Sequence, residues 1–195
     1  LSKQEQMVVL ARWDDDSASS GDDSIWQTDT RFPESLKVRR GYGASQEADA
    51  ESGTWNALRI KNGIAESGND YALGDAFPHD VLLDQSGGIG FKKGCYVGQE
   101  VVSRMQHRGT ARRRVMLVAT DAALPASGTD VIANGRAIGT LGGVDGTNGL
   151  AIVRIDRVKD ALDAGHPILA GDVPVTLSIP SWATYTLPAG DTGGS

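Results

Sequence analysis

The run "DVIANGRAIGT", Asp130–Thr140, contains the strongest hairpin signal in the chain. Two short runs rich in apolar residues are separated by Asn134-Gly135. Asn and Gly both tolerate the positive φ angles of a two-residue type I′ turn, so this pair between strand-like runs is a strong hairpin signal. The stretch therefore predicts an antiparallel β-hairpin.

Similar runs continue on both sides of this hairpin. They are "RVMLVAT" (114–120), "GLAIVRI" (149–155) and "VPVTLSIP" (173–180), all rich in Val, Ile or Thr. Between the last two, "RVKDALDAGHP" (157–167) predicts a short helix or turn. Short strands at regular spacing with turn signals between them predict a small antiparallel β-barrel over residues 112–188. The final residues, 189–195, are expected to be a disordered tail.

Residues 1–111 have a mixed pattern, so the fold class is α+β. Met7–Trp13 predicts a strand, and the acidic Asp14–Asp23 predicts a solvated loop. Gly41–Gly53 is expected to be a connection. Thr54–Gly63 predicts a helix with Thr54 as N-cap and Asn62-Gly63 as its left-handed stop. A second helix is expected from Gly98 to about His107.

The charge of the chain is unevenly distributed. The formal net charge is −6, which argues against a protein that coats nucleic acid or membrane. Yet "FKKGCYVGQEVVSRMQHRGTARRR" (91–114) holds seven of the 19 Lys and Arg residues and one of the 25 Asp and Glu residues. This local charge of +6, on a remainder of −12, indicates an anion-attracting segment.

Several classes of site are excluded by residue type and spacing. Lys93 is followed by Gly94, which breaks the phosphate-loop pattern, and Lys93 also stands where the dinucleotide fingerprint needs its last glycine. A zinc or iron–sulfur site needs several soft ligands that converge, and one Cys and three dispersed His residues cannot build a four-ligand cluster site within one chain. A cluster shared with a partner remains open. No apolar stretch is long enough to span a membrane.

The single cysteine, Cys95, lies inside the basic segment. It is either a small buried residue or a thiolate stabilised by Lys92, Lys93 and a following helix N-terminus. Arg104 and Arg108 are likewise open to two interpretations, since they can form a solvated ladder with Glu100 or present their guanidinium groups to a carboxylate or phosphate.

The run "KGCYVGQE", followed by an Arg four residues on and then by Arg-Gly, resembles the signature of the YgfZ family, folate-binding relatives of the glycine-cleavage T protein. The resemblance extends to "WNALRIKNGIAESGND" (55–70), "GGIGFKKG" (87–94) and "PSW" (180–182). The matched signature positions are Lys93, Gly94, Cys95, Tyr96, Gly98, Gln99, Glu100, Arg104, Arg108 and Gly109.

This resemblance implies a partial T-protein-like folate-binding α+β domain, residues 1–111, followed by the barrel. It implies a tetrahydrofolate-binding accessory protein, rather than a turnover enzyme, in the assembly or repair of iron–sulfur enzymes. It also implies a link to tRNA modification and a location in the bacterial cytoplasm. Family members carry a further N-terminal portion, so the chain is expected to be N-terminally incomplete.

The resemblance also implies roles for individual residues. Cys95 would be the reactive thiol, and no intrinsic metal is implied. The partners would be folate and iron–sulfur assembly proteins or their client enzymes. Contacts to tetrahydrofolate or a derivative are implied for Trp55, Arg59, Lys93, Gly94, Tyr96, Gly98, Gln99, Glu100, Arg104 and Arg108.

Two other functions remain open from the sequence. One is a folate-dependent aminomethyl- or methyltransferase, the activity class of the T protein. The other is an RNA-binding module that uses the basic segment 92–114, whose binding would weaken steeply with salt.

Overall fold

The computed structural model describes residues 7–13, 25–44, 47, 50–108 and 111–188. The predicted acidic loop and the predicted disordered tail lie outside these residues. The chain divides into two compact units, residues 1–55 and 56–195. The predicted boundary at residue 112 separates two family domains and not two compact units. It therefore stays a prediction.

The first unit is built on a three-stranded antiparallel sheet in the order β1-β3-β2. The strands are β1 (Met7–Arg12), β2 (Trp26–Thr28) and β3 (Arg39–Ala44). Gly41 pairs with Trp26, and a Cβ at Gly41 would lie 3.1 Å from the Trp26 ring. Residues 41–44 therefore belong to β3, and the predicted connection from residue 41 onward is wrong there. Glycine at position 41 leaves room for the indole ring of Trp26 on the neighbouring strand.

A buried carboxylate holds the loop after β2. Asp29 accepts from Arg31 Nη2 at 2.7 Å and lies 3.0 Å from Arg40 Nε. Burial works to raise the pKa of Asp29, but the hydrogen bonds and charges of the two arginines together outweigh it and lower the pKa. This ion cluster ties β3 to the turn that precedes it.

Three α-helices occur in the described part of the chain: α1 (Ser52–Lys61), α2 (Gln99–Arg108) and α3 (Ile155–Asp163). Because α1 begins before Thr54, that residue lies inside the first turn and is not the predicted N-cap. The predicted stop is confirmed, since Gly63 has φ +72° and its amide donates to Ile60 O.

The second unit contains a seven-stranded antiparallel sheet in the order β10-β4-β7-β6-β5-β8-β9. Because the strands at its two ends are joined through Val175 alone, the sheet must curve round on itself as a barrel. The strands are β4 (Arg113–Ala119), β5 (Asp130–Ala133), β6 (Arg136–Asp145), β7 (Asn148–Arg154), β8 (Ile168–Ala170), β9 (Val173–Pro174) and β10 (Thr176–Ser178).

The hairpin predicted from residues 130–140 is confirmed. Asn134 and Gly135 have φ +48° and +70° and join β5 to β6, as a type I′ turn requires. The barrel interior is aliphatic, and α3 packs against it through Ile155, Val158 and Ala161. The α+β class and the barrel agree with the sequence, while the T-protein-like character of the first part stays a prediction.

The "PSW" segment after β10 returns to the end of α1. Trp182 Nε1 donates to Asn62 O at 2.7 Å. A Cβ at Gly63 would lie 2.5 Å from Pro180 Cγ, so only glycine admits the proline ring here. Two segments far apart in sequence therefore meet at one glycine.

Candidate functional site

Cys95 lies in an irregular segment just before α2, and its side chain is exposed. This rules out the interpretation of Cys95 as a small buried residue. Gly98 has φ +87°, which turns the chain into the helix at Gln99. Gly94, in contrast, has no described atom within 4 Å of an added Cβ, so packing does not require glycine there.

The residues flanking Cys95 form a local cluster. Lys93 Nζ lies 4.6 Å from the centroid of the Tyr96 ring, which is a cation–π contact. Glu100 and Arg104 form an exposed i,i+4 ion pair on α2. The solvated ladder is therefore the arrangement found for these two residues, and its stabilisation is small. The Arg108 side chain lies outside the described residues.

The basic segment does not form one continuous cationic face. Lys92, Lys93 and Arg112 are exposed. Arg113 Nη1 lies 3.9 Å from the buried carboxylate of Asp80, and Arg114 is itself buried. Folding thus leaves some of these charges exposed and buries others against carboxylates, which sequence proximity could not show.

Arg114 is the centre of a buried polar cluster at the edge of β4. Its Nη1 donates to Asp84 Oδ1 at 2.6 Å and to His79 O at 2.8 Å. Its guanidinium lies 5.2 Å from the centre of the Tyr185 ring, whose hydroxyl donates to Val115 O at 2.8 Å. Burial raises the pKa of Tyr185, and the charge of Arg114 offsets only part of this, so the phenol remains a proton donor.

His79 connects this cluster to α2. Its side chain is buried, and Nε2 lies 3.2 Å from Gln106 Oε1, while Nδ1 has no hydrogen-bond partner among the described residues. The neighbouring Asp80 accepts from the Phe77 amide at 3.1 Å. Burial raises the pKa of Asp80 despite this hydrogen bond and the nearby arginines. These contacts hold the turn at residues 77–80 and connect it, through Gln106, to the end of α2.

A cavity of about 600 Å³ opens between α2, α3 and the start of β4. None of the predicted folate contacts that the structure describes lines this cavity. Three basic and three acidic residues line it, so their formal charges cancel. They are Arg112, Arg114 and Lys159, and Asp84, Asp156 and Asp160.

Arg59, a predicted folate contact, is occupied inside the second unit. Its side chain is 2% exposed, and its Nη1 lies 2.5 Å from Asp70 Oδ2. Asp70 Oδ1 accepts from the Gly143 amide at 2.6 Å. The register of β6 and β7 shifts between Leu141 and Val144, and this irregularity brings the Gly143 amide to the carboxylate.

Trp55, another predicted folate contact, belongs to the first compact unit. Its ring centroid lies 5.5 Å from that of Phe32 and 6.0 Å from that of Trp13. The predicted residues from Lys93 to Arg104 lie in the irregular segment around Cys95 and in the first turns of α2. The structure assigns Trp55 to an aromatic cluster and Arg59 to an internal ion pair.

Sequence reasoning missed Asp70, Asp84 and Tyr185. The pair Gly142-Gly143 within a strand pattern was a usable signal, because glycine in a strand marks a bulge or a close backbone approach. No comparable local signal pointed to Asp84 or Tyr185, whose partner Arg114 is distant in sequence.

No group of three or more His, Cys, Asp or Glu side chains in the described part of the chain could hold a metal ion. None of the helices found in that part of the chain is long and apolar enough to cross a membrane.

The chain is similar to one protein-family model and to several curated proteins. Residues 112–185 match the family model described as "CAF17, C-terminal beta-barrel domain". The mouse protein named "Iron-sulfur cluster assembly factor IBA57, mitochondrial" is 34% identical over 134 residues, which is 66% of this chain and 37% of that protein. The human protein of that name is 32% identical over 129 residues, or 64% and 36%.

A fungal relative extends the similarity along more of the chain. The IBA57 homolog of Aspergillus clavatus is 28% identical over 207 residues, covering 82% of this chain and 44% of that protein. The chain thus spans less than half the length of these curated relatives. The predicted relationship is confirmed at the level of a CAF17-type barrel and IBA57 homologues, whereas membership of YgfZ itself stays a prediction.

The predicted bacterial cytoplasmic location is wrong. The relatives named above are mitochondrial proteins. The YgfZ-like signature is therefore no guide to the compartment.

Proposed function

We propose that this chain is part of an iron–sulfur cluster assembly factor that acts in the mitochondrion. The observation that carries the proposal is the similarity to IBA57 proteins, which reaches 82% of the chain in the fungal relative. The exposed Cys95 beside Lys93 supports it, because an accessible thiol next to a cation suits contact with a cluster-bearing partner. The partners would be iron–sulfur assembly proteins or client enzymes.

Tetrahydrofolate binding is a second part of the proposal. The residues from Lys93 to Arg104 offer a cation, an aromatic ring and exposed polar groups. These suit folate, which has an aromatic pterin ring and an anionic glutamate tail. Arg59 does not fit as a direct contact, because Asp70 already holds its guanidinium. We propose that Arg59 acts as a positioning residue and that other parts of the longer protein complete the pocket.

A segment exchange tests the assembly function. The region of the mouse relative that aligns with this chain would be replaced by this chain, and the chimera expressed in cells lacking their own factor. We expect the activities of mitochondrial iron–sulfur enzymes to be restored. A chimera that accumulates in mitochondria but restores none of these activities contradicts the proposal.

Folate binding has its own test. Isothermal titration of the chimera with tetrahydrofolate should show binding that weakens in Lys93→Ala and Arg104→Ala. Absence of binding would remove the folate part and leave the assembly function standing. The transferase and the tRNA-modification link stay predictions, since no contact described above favours either.

A further inference from the structure

Three apolar side chains next to Cys95 project into solvent. Val97 is fully exposed at 104%, Phe91 is 44% exposed and Val101 is 40% exposed. Val97 lies two residues before α2 and Val101 lies in its first turn, so both belong to the short stretch that leads into the helix. Such a concentration of exposed apolar groups is typical of an interaction site.

The packing of α2 does not account for the exposure of Val101. The helix buries Val102 and places Met105 at the cavity wall. Val101 lies on the outer side, in the same stretch as the Glu100–Arg104 ion pair. One side of α2 therefore packs against the rest of the second unit, while the other side presents Val101 to solvent.

Lysines flank these apolar groups. Lys92 and Lys93 are exposed and follow Phe91 directly. The ion pair of Glu100 with Arg104 is neutral as a whole, so the two lysines leave this part of the surface positively charged. This contrasts with the chain as a whole, whose formal net charge is −6.

We propose that Phe91, Val97 and Val101, with Lys92 and Lys93, form a docking surface for an acidic protein that presents apolar side chains. We call it the 91–101 surface. The proposal rests on the proposed function, in which the partner is a protein of iron–sulfur assembly. Apolar groups within a charged rim give affinity, and the lysines steer the encounter with an acidic partner.

The structure favours a protein over RNA as the occupant. Single-stranded nucleic acid is held by stacking on aromatic faces, and two of the three apolar residues of this surface are valines, which have no such face. The Tyr96 ring already carries the Lys93 ammonium on one side. Arg113 and Arg114, which RNA binding by the segment would need, are directed to Asp80 and Asp84.

The test uses the full 195-residue chain and three fluorescent probes. The first is an amphipathic helical peptide with one leucine face and one glutamate face. The second is the same peptide with its leucines replaced by serine, and the third is an oligouridylate. Affinities are measured by fluorescence anisotropy at two salt concentrations.

We expect only the leucine–glutamate peptide to bind. The double variants Val97→Ser/Val101→Ser and Lys92→Glu/Lys93→Glu should each weaken its binding by about tenfold or more. Leu162→Ser on α3 and Lys61→Glu at the end of α1 are matched controls, because both positions are exposed and lie outside the surface. Neither control should change the affinity.

Three results would overturn the proposal. They are no peptide binding, equal weakening by the controls, and oligouridylate binding that depends on the lysines but not on the valines. The last result would assign the surface to nucleic acid. None of these results would affect restoration of enzyme activity by the chimera, so failure of the docking surface and failure of the proposed function are distinguishable.

Discussion

Arg59 and Asp70 form an ion pair inside the second unit, with Nη1 and Oδ2 2.5 Å apart and side chains only 2% and 1% exposed. The two residues lie on α1 and on the turn that follows it. Asp70 also receives the amide of Gly143 from β6. One carboxylate thereby joins the end of the first helix to the barrel.

Asp70→Ala should destabilise the protein strongly. The change leaves the guanidinium of Arg59 buried without its main counter-charge and frees the Gly143 amide, which should cost about 3–5 kcal/mol. Urea unfolding followed by circular dichroism measures the loss. Asp163→Ala, which removes only the solvated ion pair with Lys159, is the control and should cost about 0.5 kcal/mol. Similar losses for both variants would contradict the role given to Asp70.

Gly143→Ala tests how closely β6 approaches this pair. The added Cβ would lie 2.6 Å from Asp70 Oδ1 and 2.9 Å from Arg59 Nη2, closer than Cβ atoms approach other groups. We expect a loss of about 1–3 kcal/mol in the free energy of unfolding. Gly94→Ala, with open space around its Cβ, should be close to neutral. If Gly143→Ala is neutral as well, the carboxylate can move away and the contact is not rigid.

Tyr185 should make stability depend on pH in the alkaline range. Burial raises the pKa of its phenol above the usual 10.0, so the unfolded state loses this proton first as pH rises. The stabilisation is therefore complete below pH 10 and declines above it. Tyr185→Phe should remove this decline and cost about 1–3 kcal/mol at neutral pH, because Val115 O loses its donor. Urea midpoints of both proteins at several alkaline pH values provide the comparison, and parallel pH curves would refute the assignment.

Cys95→Ser separates function from stability. The thiol is exposed, so the free energy of unfolding should change by less than about 0.5 kcal/mol. In the chimera, however, the same change should abolish the restoration of iron–sulfur enzyme activity. Ser103→Ala, on α2 near the site, is the control. Full activity of the Cys95→Ser chimera would show that the thiol is dispensable.

Much of the barrel could be predicted from sequence, because hairpins depend on local chemistry. Asn134-Gly135 selects its turn type by backbone preference alone, whatever the rest of the chain does. The start of α1 was less predictable. Thr54 is a good N-cap in isolation, but the helix begins earlier at Ser52, and helix ends are only weakly specified by sequence.

Local sequence is enough to predict the antiparallel barrel, the helices α1 and α2, and the position of Cys95 among basic residues. These features follow from turn chemistry, periodicity and composition, which act over a few residues. Which charges remain at the surface depends instead on the tertiary structure. Arg114 and Arg59 enter the interior because Asp84 and Asp70, 30 and 11 residues away, compensate them there. Lys92 and Lys93 remain exposed beside Cys95. Burial of a charge depends on a partner brought close by folding, and a linear sequence does not contain that distance.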